Sequence, residues 1–419
     1  MTGNRRVVVT GLGAITPIGH GADGLWSGVR RGESAVRRVT RFDASMFQSQ
    51  VAAEIDDFDP GEFIEPRRLR RLDRFSQLSV AASMQATADS GLCLDRCPER
   101  VGVNLGTALG GIAFGEQEHE KFVENGPRAA SVMTALAVFS GAGASNIAMD
   151  LGLHGPAMGN ANSCTSGTIA IGEAFRLLRD DPHASLDVVL AGGAEAPLAP
   201  LSFGAFSMIK AMSTANDVPE HASRPFDRLR DGFVMAEGSA VLMLEDREHA
   251  RARGARIYAE VLGYAHTNDA YHMTAPRPDA AQSTRAIQLA MTDAGIQPQH
   301  VDYVNAHASA TPLNDSTEVR AIRHALGRRA EEVPVTGTKG LHGHALGASG
   351  AIEAAIACLA IDRGWVPGTA NLREADPECD LQHFPQGGLD MQPGIVLSNS
   401  FGFGGINACL VLAHPDWLD

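Results

Sequence analysis

The chain has 419 residues, 44% of them hydrophobic and 20% charged, with a formal net charge of −14. That length and balance fit a globular protein of one large or two medium domains. The acidic excess argues against a nucleic-acid partner, and no stretch nears the roughly 20 apolar residues of a membrane helix, so neither nucleic acid nor membrane is expected as a partner.

The N-terminal "MTGNRRVVVTGLG" places two arginines before a short apolar run. The run breaks at Gly11 and continues as domain sequence, unlike a signal peptide. "GLGAIT" (11–16) invites a dinucleotide reading, but Thr16 takes the third-glycine place and no strand ending in a ribose-binding acid follows. It reads instead as a tight strand-to-helix turn.

β-branched runs that end in glycine or small polar residues mark strands at 6–13, 101–111, 187–196 and 239–245, and again at 256–265, 301–311, 394–405 and 408–414. Apolar stripes mark helices at 74–91, which stops at Gly91, and at 282–296; residues 165–179 and 348–361 read as buried helices. Strand–helix alternation implies an α/β fold. The same order of elements occurs twice, which implies two similar halves, 1–250 and 251–419.

The six cysteines (93, 97, 164, 358, 379 and 409) are scattered, with one isolated CxxxC, and a reduced, cytoplasmic setting is expected. Cys164 stands apart. It lies in "NANSCTSGTIAIG", framed by small residues, just before a helical pattern. The partial positive charge of a helix N-terminus favours thiolate over thiol. Taken alone, Cys164 is equally open to a packed-thiol reading.

Two histidines of the second half shift that balance. His307 follows a strand in "VNAHASATPLND", and His344 lies in the Gly-rich "TGTKGLHGHALGASG". Strand ends on one side of a sheet are where α/β proteins place chemistry. His342 raises a zinc alternative, but His–Gly–His is not helical i, i+4 spacing and no paired carboxylate accompanies it, so no metal is expected. Lys339 and Glu353 are charged residues in small, apolar surroundings: either surface groups or a partly buried pair that sets the local field. "NSFGFGGIN" frames Phe401 and Phe403 with glycines, where backbone N–H groups are free to face a reacting oxygen.

Together these residues resemble the elongating (type II) β-ketoacyl-[acyl carrier protein] synthases of the thiolase superfamily, close to the ketosynthase subunits of type II polyketide systems. The likeness runs from "VVVTGLGAITPIG" through "ASRPFDRLRDGFVMAEGSA" and "NDAYHMTAP" to "SNSFGFGGINA". It implies a thiolase-like, duplicated, five-layered α-β-α-β-α fold. It implies that Cys164 takes the acyl chain as a thioester while His307 and His344 drive decarboxylation of a malonyl thioester. It further implies an oxyanion hole from the N–H groups of Cys164 and Phe403, with Phe403 as gate and Lys339 and Glu353 ordering the site.

By the same resemblance Ser309 and Thr311 bind the phosphopantetheine arm, Thr274 lies beside the malonyl site with Phe401 close by, and Leu109 and Thr134 shape the acyl pocket, Thr134 across a dimer interface. Arg70, Arg71, Arg128 and Lys210 match carrier-docking positions, within a chain whose "PRRLRRLDR" (66–74) is locally basic. No cofactor is expected beyond the arm that arrives on the acyl carrier protein. The implied partners are that carrier and a second ketosynthase-fold chain, as homodimer or with a related chain-length subunit.

The chain departs from the family pattern at "HASATP", "TKGLHGH", Ala236 and Ile406. With Thr134 in place of a bulkier aromatic, these departures point to a specialised polyketide or polyene pathway, with fatty acid elongation as the alternative. A non-catalytic chain-length subunit would lack Cys164. A degradative thiolase would carry a second cysteine where Asn399 and Ser400 stand.

Overall fold

The computed structural model describes residues 5–384 and 387–418. Its first half supplies strands β1 (Val7–Thr16), β2 (Val101–Gly106), β3 (Ala157–Asn160), β4 (Val188–Glu195) and β5 (Gly238–Asp246). The second supplies β6 (Ala259–Asn268), β7 (Tyr303–Asn305), β8 (Val335–Thr336), β9 (Ile395–Gly402) and β10 (Ile406–Ala413). The order is β3-β2-β4-β5-β1 in one half and β8-β7-β9-β10-β6 in the other. The senses match as well. β1–β5 and β5–β4 are antiparallel while β4–β2 and β2–β3 are parallel, and the second half repeats this strand for strand. The first strands of the halves pair antiparallel, Val7 opposite Val261, Val8 opposite Glu260 and Val9 opposite Ala259.

Helices cover both faces. α1 (Arg74–Ser90) lies on the outer face of β1 and β5; α3 (Ala281–Asp293) and α4 (Pro312–Leu326) lie on the outer face of the second half. Between the sheets run α2 (Ser166–Arg179) and α5 (Ser349–Arg363). The result is the five-layered, duplicated α-β-α-β-α arrangement of the thiolase-like fold. Local chemistry sets the helix ends: the Asp73 carboxylate accepts the Phe75 N–H at the start of α1, and Gly91, at φ 65°, closes it. Residues 349–361 of α5 are all buried, which is why that stretch shows no polar face.

One expectation is corrected. "GLGAIT" is the continuation of β1, not a turn. Gly11 and Gly13 are small because α1 presses on the strand: a Cβ on Gly13 would lie 1.9 Å from the Ala82 carbonyl oxygen. Helix–strand contact explains the glycines without a nucleotide.

The two central helices meet through small residues. A Cβ on Gly167 would lie 2.9 Å from the Ala351 nitrogen, and one on Gly350 would lie 2.0 Å from Thr168 Oγ1 and 2.8 Å from Ser400 Oγ. Those two hydroxyls are themselves hydrogen-bonded at 2.7 Å. Gly350→Ala is therefore expected to destabilise the fold by about 1–3 kcal/mol through overpacking, read as a lower denaturant midpoint at unchanged slope.

Candidate active site

The duplicated frame places two loop–helix turns face to face. One joins β3 to α2 and carries Cys164; the other joins β8 to α5 and carries His344. Each helix is preceded by a 3₁₀ turn, Ser163–Thr165 and Leu346–Ala348. His307 follows β7, and Phe401 to Phe403 lie where β9 ends. All converge on one cavity of about 310 Å³, lined also by Phe206, Lys210, Phe233, Thr274, Ser309 and Thr311.

Cys164 is buried, with Sγ 3.1 Å from His344 Nε2. His344 Nδ1 is 2.7 Å from the Ser349 hydroxyl, and its ring meets the edges of His307 and Phe233 at centroid distances of 5.3 and 5.2 Å. Beneath the histidines Lys339 and Glu353 are wholly buried and form a direct ion pair. The Lys339 ammonium also donates to the His307 carbonyl and lies 3.4 Å from His307 Nδ1.

These charges set the protonation pattern. Burial first, then the Lys339 ammonium, then the other imidazole holds His307 well below the ordinary histidine value. His344 is held there by burial, Lys339 and His342. Both imidazoles are neutral at working pH. Burial pushes the Glu353 carboxyl up to about 7, against the pull of Lys339.

Cys164 corrects the sequence expectation of a lowered thiol pKa. Burial is the largest influence and pushes the thiol above its ordinary value, with the Ser163 hydroxyl, the Lys339 charge and the Phe403 N–H pulling it back. The sulfur lies buried at the cavity floor, where desolvation outweighs the helix terminus.

The other sequence-selected residues divide. Ser309 and Thr311 join hydroxyls at 3.0 Å, and Thr311 also caps α4. Phe401 stands 6.1 Å from His307, centroid to centroid, and Phe403 stacks on Phe206 at 6.2 Å. Leu109 packs in the apolar cluster around Cys164. Thr134 lies apart from this cavity, on a stretch where Val132, Leu136 and Phe139 are exposed. Arg70, Arg71 and Arg128 are exposed and Lys210 stands at the cavity wall, but Arg68 and Arg74 of the same basic run are tied to Asp150 and Glu237. The zinc alternative finds no support in geometry: His342 turns to the Thr338 hydroxyl at 3.0 Å, and no group of three His, Cys, Asp or Glu assembles among the described residues.

Two buried carboxylates were missed by sequence reasoning. Glu318 of α4 accepts the N–H groups of His307 and Ala308, both at 2.8 Å. Glu195, at the end of β4, accepts the N–H groups of Leu109 at 3.1 Å and Gly347 at 2.9 Å, together with the Ala108 N–H, tying the two halves. Both are pushed to about 7 by burial, against those amides. The signal was present: each is an acid within an apolar stripe or run.

Comparison with known proteins places this geometry. Residues 4–250 match the model for the N-terminal domain of β-ketoacyl synthase, and residues 258–373 match that for its C-terminal domain. A protein of Synechocystis sp. named 3-oxoacyl-[acyl-carrier-protein] synthase 2 is 44% identical over 97% of this chain and 97% of its own. The ishigamide ketosynthase/chain length factor superposes with a TM-score of 0.91 at 36% identity, covering 98% of this chain and 99% of that one. A type II polyketide ketosynthase solved with its acyl carrier protein and bound to the hexaketide superposes at 0.89 and 34% identity, with 98% and 99% coverage. Matched along nearly its whole length, and with a cysteine and two histidines brought together from opposite halves, the chain belongs to the β-ketoacyl synthase family.

Proposed function

We propose that this synthase joins an acyl chain held on Cys164 to a malonyl unit on acyl carrier protein, with loss of carbon dioxide, and releases β-ketoacyl-acyl carrier protein. The observation that carries this reading is the convergence of Cys164, His307 and His344 on one cavity floor.

In loading, Sγ attacks the carrier thioester, the N–H groups of Cys164 and Phe403 hold the oxyanion, and the thiol proton passes through His344 to the departing pantetheine sulfur. In condensation the bond to the malonyl carboxylate breaks and its electron pair becomes an enolate. The ammonium beside His307 Nδ1 keeps the ring proton on Nε2, which donates to the enolate oxygen. The Ser349 hydroxyl, free to turn, supports His344 in either tautomer. The enolate carbon attacks the acyl carbonyl, the C–Sγ bond breaks with its electron pair returning to sulfur, and sulfur regains a proton from solvent in the cavity. Side chains, amides and the carrier's own arm carry every step, so neither metal nor organic cofactor enters.

Ser309, Thr311 and Thr274 hold the pantetheine and malonyl groups, Phe401 and Leu109 bound the reacting chain, and Phe403 swings from Phe206 to admit it. Arg70, Arg71, Arg128 and Lys210 present positive charge to an acidic carrier. The halves 1–250 and 251–419 act as nucleophile and decarboxylation units of a cytoplasmic enzyme; no helix among the described residues is long and apolar enough to cross a membrane.

The partner seat is the outer edge of β3, which pairs with β2 alone among the described strands. Met158 on β3 is exposed, as are Val132, Leu136, Phe139 and Met149 around it, Val132 at 92%. A second ketosynthase-fold chain, identical or a chain-length subunit, covers this edge and brings its Thr134 to the first chain's acyl pocket.

Departures such as Ala308, Gly340 and His342, together with Thr134, favour a specialised polyketide or polyene substrate. The 44% relative named as a 3-oxoacyl synthase favours fatty acid elongation as the second reading.

Intact-mass analysis after exposure to a panel of acyl carriers should show acyl mass on Cys164, lost in Cys164→Ala, with unsaturated or oxygenated chains loading faster than saturated ones; label on another residue overturns the reading. Malonyl decarboxylation should show no acid limb near pH 6.5, because both imidazoles stay neutral below it. Lys339→Ala removes one cause of that depression, so an acid limb should rise toward neutrality. Leu136→Glu combined with Met158→Glu should convert a dimer to monomer in light scattering; an intact dimer would move the interface elsewhere.

A further inference from the structure

The residue before the nucleophile has a left-handed backbone: Ser163, φ 55°. That region is uncommon outside glycine, asparagine and aspartate. The second half repeats the feature at Leu346, φ 39°. Each stands three residues ahead of the first residue of a central helix, Ser166 in α2 and Ser349 in α5. The bend therefore belongs to the duplicated turn that starts a buried helix. The side chain is what differs, for Leu346 has nothing to donate.

At Ser163 the bend aims a hydroxyl at the sulfur, with Oγ 3.8 Å from Cys164 Sγ, within the range of a hydrogen bond to sulfur. Gly402 packs beside this turn; a Cβ there would lie 3.2 Å from the Cys164 nitrogen and 3.4 Å from Ser163 Cβ. The remaining groups facing the sulfur have other work. His344 moves the proton, the Phe403 N–H serves the oxyanion, and His307 with Lys339 beneath it serves the enolate. Glu195 is an acid and opposes the thiolate, while the charged Asp231, Asp269 and Lys210 also line the cavity.

We propose that Ser163 is a further catalytic residue whose O–H donates to Cys164 Sγ whenever the sulfur carries negative charge. The role rests on the condensing reading above. When the enolate carbon bonds to the acyl carbonyl, the C–Sγ bond breaks and its electron pair returns to sulfur; the Ser163 O–H holds that charge until a proton arrives from solvent, and no proton leaves the serine. Burial opposes the thiolate, and the Ser163 hydroxyl is the largest influence working against burial.

The test is the pH dependence of Cys164 alkylation by iodoacetamide, read by peptide mass mapping on the full chain for Ser163→Ala and Ser163→Gly. Alanine removes the hydroxyl and keeps the left-handed cost; glycine removes both. Both variants should raise the alkylation midpoint by about one pH unit, a roughly tenfold slower reaction below it. An unchanged midpoint in either variant overturns the proposal, since a shift in one alone would trace to backbone strain. Alkylation needs neither carrier nor malonyl group. If Cys164 fails to take acyl chains, the condensing reading falls while this profile still reports on Ser163.

Discussion

The site depends on how closely two buried helices approach. α2 and α5 start side by side at the centre of the molecule, and Gly167 and Gly350 leave no room for even a methyl group between them. That approach brings the turn ahead of one helix against the turn ahead of the other, so Cys164 of the first half and His344 of the second meet at 3.1 Å. Neither half holds both side chains. The sheet order explains the facing: two copies of one topology, joined through their first strands, relate the Cys164 turn to the His344 turn by an approximate two-fold.

Electrostatics follow from that burial. A lysine, two carboxylates and three imidazoles lie within the same low-dielectric core around the second turn: Lys339, Glu353, Glu318, His307, His342 and His344. Burial first, and the Lys339 charge beneath the two rings second, keep them neutral, and the proposed decarboxylation draws on neutral rings as hydrogen-bond donors. Glu318 and Glu195 work through the backbone. By gathering amides of His307, Ala308, Leu109 and Gly347 they hold loops that have no regular structure of their own. A buried carboxylate with several amide donors makes such a loop rigid without a disulfide or metal.

Much of this was legible in the sequence. The paired order of strands gave away the duplication because both halves keep the same β-branched runs ending in small residues. Cys164, His307 and His344 stood out because chemistry-bearing side chains sat in small-residue loops at predicted element ends, and Phe403 because glycines frame its backbone N–H. What escaped had identifiable reasons. β8 is a two-residue strand, Val335–Thr336, too short for any periodicity. The glycines of β1 look like a turn because nothing local records that α1 presses on them. The raised thiol at Cys164 escaped because a helix terminus is visible along the chain while desolvation is set by Phe233, Leu346 and other residues brought together only by folding.

The uncovered edge of β3 bears on how the protein must be made. Open main-chain groups beside exposed Met158 and Val132 form a template that recruits strands indiscriminately. Newly synthesised chains are thus exposed to clumping until the proper mate arrives. An edge of this kind makes early pairing with a mate, identical or related, a condition for keeping the chain in solution.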